Sequence, residues 1–566
     1  WEAVIQKDLK GADYDKRLVW KSRTGLAVRP YYRRENLEGL DYLLNAAPGQ
    51  FPYVRGTRAA NDWSVREEVD EAGMVEANAS AKAAVASGAD SILFRRAYPK
   101  TLADLRTLLD GLGDAAVHLW GDGPSDALAA LIRESGLALR GSLKLHPFAE
   151  ADLAAACLKS SPGPAFRPVA IRRASFLEAG ATSVQEVAFL LAAGIDYIRW
   201  MTARGVTVDQ AAQGVSFGMF VGTSYFLQIA KFRAFRMLWA RVVDAFGGSR
   251  EAAKAYIMAR TASWNHSLYD PYNNVLRGTT EAMSAVIGGV DSLSVGSFDE
   301  VYKNADDASR RLARNTQVIL KQEAWLDRAV DPGAGSYYVE TLTDALAKAA
   351  WKLMQEVESI GGYLKARDSG MIPNEVRQAR KKAEDALAQR RRVIVGTNNY
   401  PNLGERMLDK MEQKDVEIVY GRGAEVFEDI RLRTERFAAA GGKAPLFLLA
   451  EMGDLKMRKA RSGFILNFLG CGGFGVKISH FATVEALAEG AAKMGASAVV
   501  LCSSDDEYAA LAAPAVAALK GLPVIVAGAP KNADELKAAG VADFINIKSN
   551  AVDTLKAWQD RLGVRG

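Results

Sequence analysis

The stretch Leu446-Phe447-Leu448-Leu449-Ala450-Glu451-Met452-Gly453-Asp454-Leu455-Lys456-Met457-Arg458-Lys459 opens with an unbroken apolar run, turns at Gly453-Asp454 and continues into an amphipathic segment. A short apolar run bounded by turn residues suits a strand buried on both faces, and the segment behind it suits a helix over about 454–469. Towards the C-terminus the same unit repeats. Strand-like runs at Gly475 to Ile478, Ala498 to Cys502, Val524 to Ala527 and Phe544 to Ile547 alternate with helical patterns at 483–494, 505–520 and 531–539. Five such units predict a doubly wound, flavodoxin-like sheet over 441–566, with ligands expected at the carboxyl ends of its strands, where Asp454 lies. Gly470-Cys471-Gly472-Gly473 follows the first helix instead of preceding it, so it reads as a helix stop and not as a phosphate-binding loop.

Towards the N-terminus, residues 341–440 are charged and helical, as in Arg377-Gln378-Ala379-Arg380-Lys381-Lys382-Ala383-Glu384. Interleaved acidic residues argue for a solvated helical linker over a basic binding patch. Within it, Val393-Ile394-Val395 before Gly396-Thr397-Asn398-Asn399 reads as a strand ending in a turn. Residues 36–340 alternate short apolar runs (Ser91 to Phe94, Ala116 to Trp120, Val169 to Ile171) with helical patterns, clearest at Ser183 to Arg204 and Ser224 to Phe246. Strands alternating with helices over this length predict a closed (β/α)8 TIM barrel, so the chain as a whole is α/β. Residues 1–35 carry Trp1, Tyr14, Trp20, Tyr31 and Tyr32 without a sustained period and suit an arm lying over another surface.

Composition narrows the class. With 566 residues and 49% hydrophobic content the chain can build several cores. A net charge of +5 from 72 basic and 67 acidic residues, with signs interspersed, gives no reason to expect nucleic acid or a membrane surface as partner. No apolar run is long enough to span a bilayer, and Trp1-Glu2-Ala3-Val4 has neither the basic flank nor the apolar core of a signal peptide, so a cytoplasmic setting is expected. The three cysteines, Cys157, Cys471 and Cys502, are too far apart for a metal-ligand motif and read as small core residues. The four histidines, His118, His146, His266 and His480, are equally scattered, so no metal site is expected.

Longer motifs carry a resemblance. Asp270-Pro271-Tyr272-Asn273-Asn274-Val275 leads into Arg277-Gly278-Thr279-Thr280-Glu281-Ala282-Met283, and Ala313-Arg314-Asn315-Thr316-Gln317 and Val330-Asp331-Pro332-Gly333-Ala334-Gly335-Ser336 follow. Earlier come Glu178-Ala179-Gly180-Ala181-Thr182 and Lys231-Phe232-Arg233-Ala234-Phe235-Arg236. With their order and the barrel, linker and flavodoxin-like domains, these motifs resemble the methylmalonyl-CoA mutase family over nearly the whole chain. The resemblance implies an isomerase that uses adenosylcobalamin to interconvert succinyl-CoA and (R)-methylmalonyl-CoA.

It also implies working residues, and at their positions this chain departs from the pattern. The cobalt-ligating loop Asp-x-His-x-x-Gly keeps Asp454 but has Lys456 for the histidine and Lys459 for the glycine. An ammonium has no lone pair to offer a metal. The catalytic histidine before Glu-Ala-Gly-Ala is replaced by Ser175. The glutamine before Asp-Pro-Tyr-Asn-Asn is Tyr269, and the His-Thr-Asn before Phe-Asp-Glu is Ser294-Val295-Gly296. The segment Arg55-Gly56-Thr57-Arg58-Ala59-Ala60-Asn61-Asp62-Trp63 lacks the family's tyrosine. In the C-terminal domain, the serine that meets the cofactor's nucleotide loop is Cys502, and a Gly-Gly pair is Ala527-Gly528.

These losses are scattered in sequence yet joined in function, which resembles the small, non-catalytic subunit of the heterodimeric bacterial enzymes. The resemblance then implies a catalytic large subunit as partner, adenosylcobalamin held by that partner, and neither catalytic nor cofactor-binding residues here. Two further readings stand beside it. One is a self-sufficient cobalamin-dependent acyl-CoA mutase that binds its corrin without a histidine ligand. The other is a CoA-ester or corrin binding protein, with Arg172 and Arg173 meeting phosphates, although salt bridging at the core rim is the duty expected of that pair.

Overall fold

A computed structural model describes residues 1–160, 165–172, 176–412 and 421–565. The chain divides into two compact units. The first holds residues 1–264, 275–297 and 305–380, and the second 265–274, 298–304 and 381–566.

The first unit opens with helices Glu2–Leu9 and Tyr14–Leu18 and a two-stranded antiparallel hairpin, β1 (Trp20–Lys21) with β2 (Ala27–Val28). The arm therefore has local structure that its composition did not predict. Helix Glu2–Leu9 buries no residue, and Trp1 and Trp20 stay 79% and 56% exposed. Eight parallel strands then close into a barrel: β3 (Ser64–Val69), β4 (Ser91–Phe94), β5 (Ala116–Leu119), β6 (Gly141–Leu145), β7 (Phe166–Ile171), β8 (Val215–Val221), β9 (Ile257–Thr261) and β10 (Ser292–Ser294). The order is sequential, with β10 pairing back to β3.

Helices Ser183–Thr202 and Tyr225–Ala245 hold the main core, where Phe217, Phe235 and Trp239 stack edge to face. Helix Tyr337–Ser359, whose charged composition suggested a solvated connector, buries Leu342, Leu346, Ala350, Met354 and Val357 in that same core. Its polar residues occupy the other face, so average composition hid an apolar stripe.

The family-like motifs turn out to be internal fastenings. Arg233, wholly buried, meets both carboxylate oxygens of Glu340 at 2.9 Å and Asp331 at 3.2 Å. Lys231 pairs with Glu186 at 2.7 Å and also donates to the Phe220 carbonyl. Glu178 accepts both the backbone N–H and the hydroxyl of Ser263 at 2.7 Å.

Side chains of the strands pack inside the barrel. Leu93, Trp120, Ala170 and Met258 pack together from four different strands or strand ends. Arg66 donates to the hydroxyls of Ser294 and Ser292 and to the Ala259 carbonyl at 2.7–3.0 Å. His118 is fully buried between the hydroxyls of Ser91 (3.0 Å) and Ser142 (2.7 Å). Burial, reinforced by the Arg66 and Arg167 charges, pushes its imidazole well below the ordinary range. As pH falls below about 6.5 the unfolded chain takes up a proton that folded His118 refuses, so the barrel should lose stability there. Unfolding followed from about pH 8 to pH 5 should show that slope, and a His118→Asn chain should flatten it. An unchanged slope in the variant would assign the acid sensitivity to another group.

The second unit carries a five-stranded parallel sheet: β11 (Leu446–Glu451), β12 (Gly475–His480), β13 (Ala498–Cys502), β14 (Val524–Val526) and β15 (Asp543–Phe544), in the order β12-β11-β13-β14-β15. This is the doubly wound order of flavodoxin type. The strand expected at Val393 to Val395 is absent. Only one bridge, Val395 to Asn399, forms there, because the Asn398 side chain closes a tight turn on the Ile394 N–H and the carbonyls of Leu387 and Arg392. The last strand is shorter than the apolar run Phe544 to Ile547, and Ile547 is 79% exposed.

Candidate functional site

The loops at the carboxyl ends of β11, β13 and β14 are where a ligand of this sheet would sit. Asp454 does not orient an imidazole there. Its carboxylate accepts the Met457 N–H at 2.8 Å and so caps a helix that begins at once, Leu455–Gly470. Lys456 and Lys459 lie within the first two turns of that helix, both exposed. Lys459 pairs with buried Glu451 at 2.7 Å, and Ser462 donates to the other oxygen of Glu451 at 2.6 Å.

The neighbouring loop is fastened to the first by Glu507. Its carboxylate accepts from the hydroxyls of Ser503 and Ser504 at 2.5 and 2.7 Å, from the Ser504 N–H, and from the Asp454 N–H. These donors hold it at about 2, well below the usual carboxylate range. Cys502 and Ala527 are fully buried in the apolar core with Ile465 and Phe468, and burial pushes the Cys502 thiol up. Arg461 pairs with Asp505 at 3.0 Å, and a Cβ at Gly528 would strike that same aspartate. The residues present do not fit a cobalt corrin. Lys456 and not an imidazole stands at the ligand position, the loop is a helix, and the two positions that would flank a nucleotide tail are packed core.

The barrel-side positions are equally committed. Gly296 donates its N–H to the Thr261 hydroxyl at 2.8 Å. In the second unit, buried Tyr269 donates to Glu435 at 2.9 Å beneath Arg431, whose guanidinium carbon lies 3.9 Å from the ring centroid. Burial, then Glu435, raises its phenol. Ser175 and Arg173 lie outside the described residues. Arg172 is described and, contrary to expectation, makes no salt bridge among the described residues. It sits over the ring of Trp120 at 4.1 Å.

Among the described residues, no group of three or more histidines, cysteines or carboxylates could hold a metal, and no helix is long and apolar enough to cross a membrane. Of the four histidines, His118 lies in the core and His480 meets the Glu451 carbonyl at 2.8 Å. The Glu507 fastening was missed, though Ser504-Asp505-Asp506-Glu507 ahead of helix Tyr508–Ala518 is a capping-box pattern that announces it.

Comparison with known proteins places this geometry. The sequence model of methylmalonyl-CoA mutase matches residues 126–441, more than half of the chain. The chain belongs to the methylmalonyl-CoA mutase family. Its relatives include the methylmalonyl-CoA mutase small subunit of Porphyromonas gingivalis, 37% identical over all of this chain and 97% of that protein. The small subunit of Streptomyces virginiae is 31% identical over all of this chain and 96% of its own length. The methylmalonyl-CoA mutase of Escherichia coli is also 31% identical, but over 78% of this chain and 69% of its own. Within the family, then, similarity spans the full length of proteins called small subunits.

Proposed function

We propose that this chain is the non-catalytic small subunit of a heterodimeric methylmalonyl-CoA mutase. It pairs with a catalytic large subunit, which holds adenosylcobalamin and interconverts succinyl-CoA and (R)-methylmalonyl-CoA. The observation that carries the reading is the helix Leu455–Gly470, which begins directly after Asp454 and absorbs Lys456 and Lys459 where the family places a ligating loop. The fastened Tyr269 and Gly296 agree with it, since each occupies an implied working position with a structural contact. The exposed aromatic residues of the arm, Trp1 and Trp20, supply apolar surface for a partner to cover.

The test is to express the chain alone and with its large subunit, then to measure mass, bound corrin and turnover. Alone, it should elute without a corrin absorbance band and without activity; together, the two should co-elute with corrin and turn over. Lys456→His should leave the isolated chain corrin-free, because the new imidazole would project from a helix instead of a loop and residues acting as a unit gain little when one is restored. Stoichiometric corrin on the unmodified chain would overturn the reading.

A further inference from the structure

The closed barrel has no sheet edge, but the C-terminal sheet has two. At one edge β15 offers a short stretch, Asp543–Phe544. At the other, β12 runs from Gly475 to His480 and pairs with β11 alone. Its neighbour β11 is buried from Phe447 to Glu451, as a strand of a parallel sheet normally is. β12 departs from that rule. Lys477, Ile478 and His480 are exposed, Ile478 at 41%.

The backbone of β12 is free along its outer side. The N–H groups of Gly475 and Phe481 reach the carbonyls of Pro445 and Glu451 at 2.9 and 3.1 Å. Backbone groups alternate along a strand, so Lys477 and Ser479 also turn theirs to β11, while Val476, Ile478 and His480 turn theirs outward. Among the described residues, no N–H or carbonyl of these three has a hydrogen-bond partner. Such a row of unpaired donors and acceptors is a template for one more strand.

We propose that the strand it takes is β12 of a second copy of this chain, which joins the two C-terminal sheets into one. Two identical edges meet in a closed pair only antiparallel, about a twofold axis. Side chains then select the register. Centred on Ile478, the pairing sets Ile478 opposite its copy and Val476 opposite His480, so every outward residue exchanges both of its hydrogen bonds. Lys477 lies opposite Ser479. Centred one residue earlier, the pairing would set Lys477 against Lys477 and run His480 past the end of the strand; centred one later, it would run Val476 past the end. Lysine on an edge usually discourages pairing. Here it excludes a competing register instead. The exposed Ile478 gains its copy as an apolar neighbour, on the same face as Leu449, its register partner in β11. One strand-to-strand contact buries less than the roughly 1,200 Å² of a standard interface, so the dimer is weak and builds up as concentration rises. The inference stands whether or not the chain is a small subunit, and in a heterodimer the same edge would join two complexes.

Sedimentation equilibrium of the full chain over a wide concentration range, with amide exchange on the same samples, tests it. The expected result is a monomer–dimer equilibrium with slower exchange at Val476, Ile478 and His480 in the dimer. Ile478→Pro should weaken the dimer at least tenfold and leave the fold intact, because the N–H it removes is unpaired in the monomer. Ser479→Glu, which sets a carboxylate opposite each Lys477, should tighten the dimer about fivefold in low salt, and Ser479→Lys should weaken it by a similar factor. A chain that stays monomeric overturns the proposal. So does self-association that Ile478→Pro leaves unchanged, which would belong to another surface. The proposal also falls if both Ser479 variants shift the dimer the same way, or if those amides slow only when the large subunit is added, since the edge would then take the partner's strand.

Discussion

Replacing Glu340 with alanine should destabilise the barrel unit by about 3–5 kcal/mol, because it strands the Arg233 guanidinium in the core with Asp331 as its one remaining carboxylate contact among the described residues. Arg233 and Glu340 are both fully buried, so water cannot make good the loss. Glu340 also accepts the Gly335 N–H at 2.8 Å, and that donor would be orphaned as well. Glu340→Gln keeps an acceptor oxygen and the side chain's volume, and should cost visibly less. Calorimetric or denaturant unfolding of the two variants beside the unmodified chain reads the difference. If Glu340→Ala unfolded with an unchanged midpoint, the pair would be a bystander in the core.

A change of one methyl group at Gly141 should cost nearly as much. Gly141 opens β6 with φ of 130°, a backbone conformation that alanine rarely adopts. An added Cβ would also strike the Val117 carbonyl and lie 2.5 Å from the Val117 carbonyl carbon. Both are backbone atoms of the paired strand β5, in register with Gly141, so no side-chain rotation relieves the clash. Strain of about 1–3 kcal/mol for the dihedral and a similar amount for overpacking predict roughly 3–5 kcal/mol for Gly141→Ala. The same shift would move Ser142 off His118. Thermal unfolding checks the loss, and a variant as stable as its parent would refute the backbone argument.

The architecture was legible because its signals are local. Buried parallel strands such as Leu446–Glu451 read as continuous apolar runs, and the helix period in Ser183–Thr202 survives any environment. What failed had causes outside the local pattern. Val393 to Val395 looks like a strand, but a strand needs a neighbour to pair with, and Asn398 offers the backbone a turn instead. The arm's short helices, Glu2–Leu9 and Tyr14–Leu18, are too brief for periodicity to register.

At the candidate site identities were legible and arrangements were not. Asp454 can be read as a surviving motif residue, yet whether it orients an imidazole or caps a helix depends on where the helix begins, and that follows from the Glu507 contact across the loop. Likewise, Arg172 invites an ion pair on paper. Its place over Trp120, with Glu68 shared by Arg95 and Arg260, depends on which strands are neighbours.

The polar contacts inside the barrel bear on how far this lineage can travel in sequence space. Arg66 satisfies Ser292, Ser294 and the Ala259 carbonyl at once, Glu68 joins two arginines, and His118 joins two serines. Reopening the interior one substitution at a time would pass through chains in which a buried carboxylate or hydroxyl has lost its partner, each at a cost comparable to a good part of a domain's whole stability. Drift away from an open barrel needs no such intermediate, because polar partners can be added to a wet channel singly. The route is therefore easy in one direction and obstructed in the other, so descendants of this chain should keep the interior charges as a set or lose the fold.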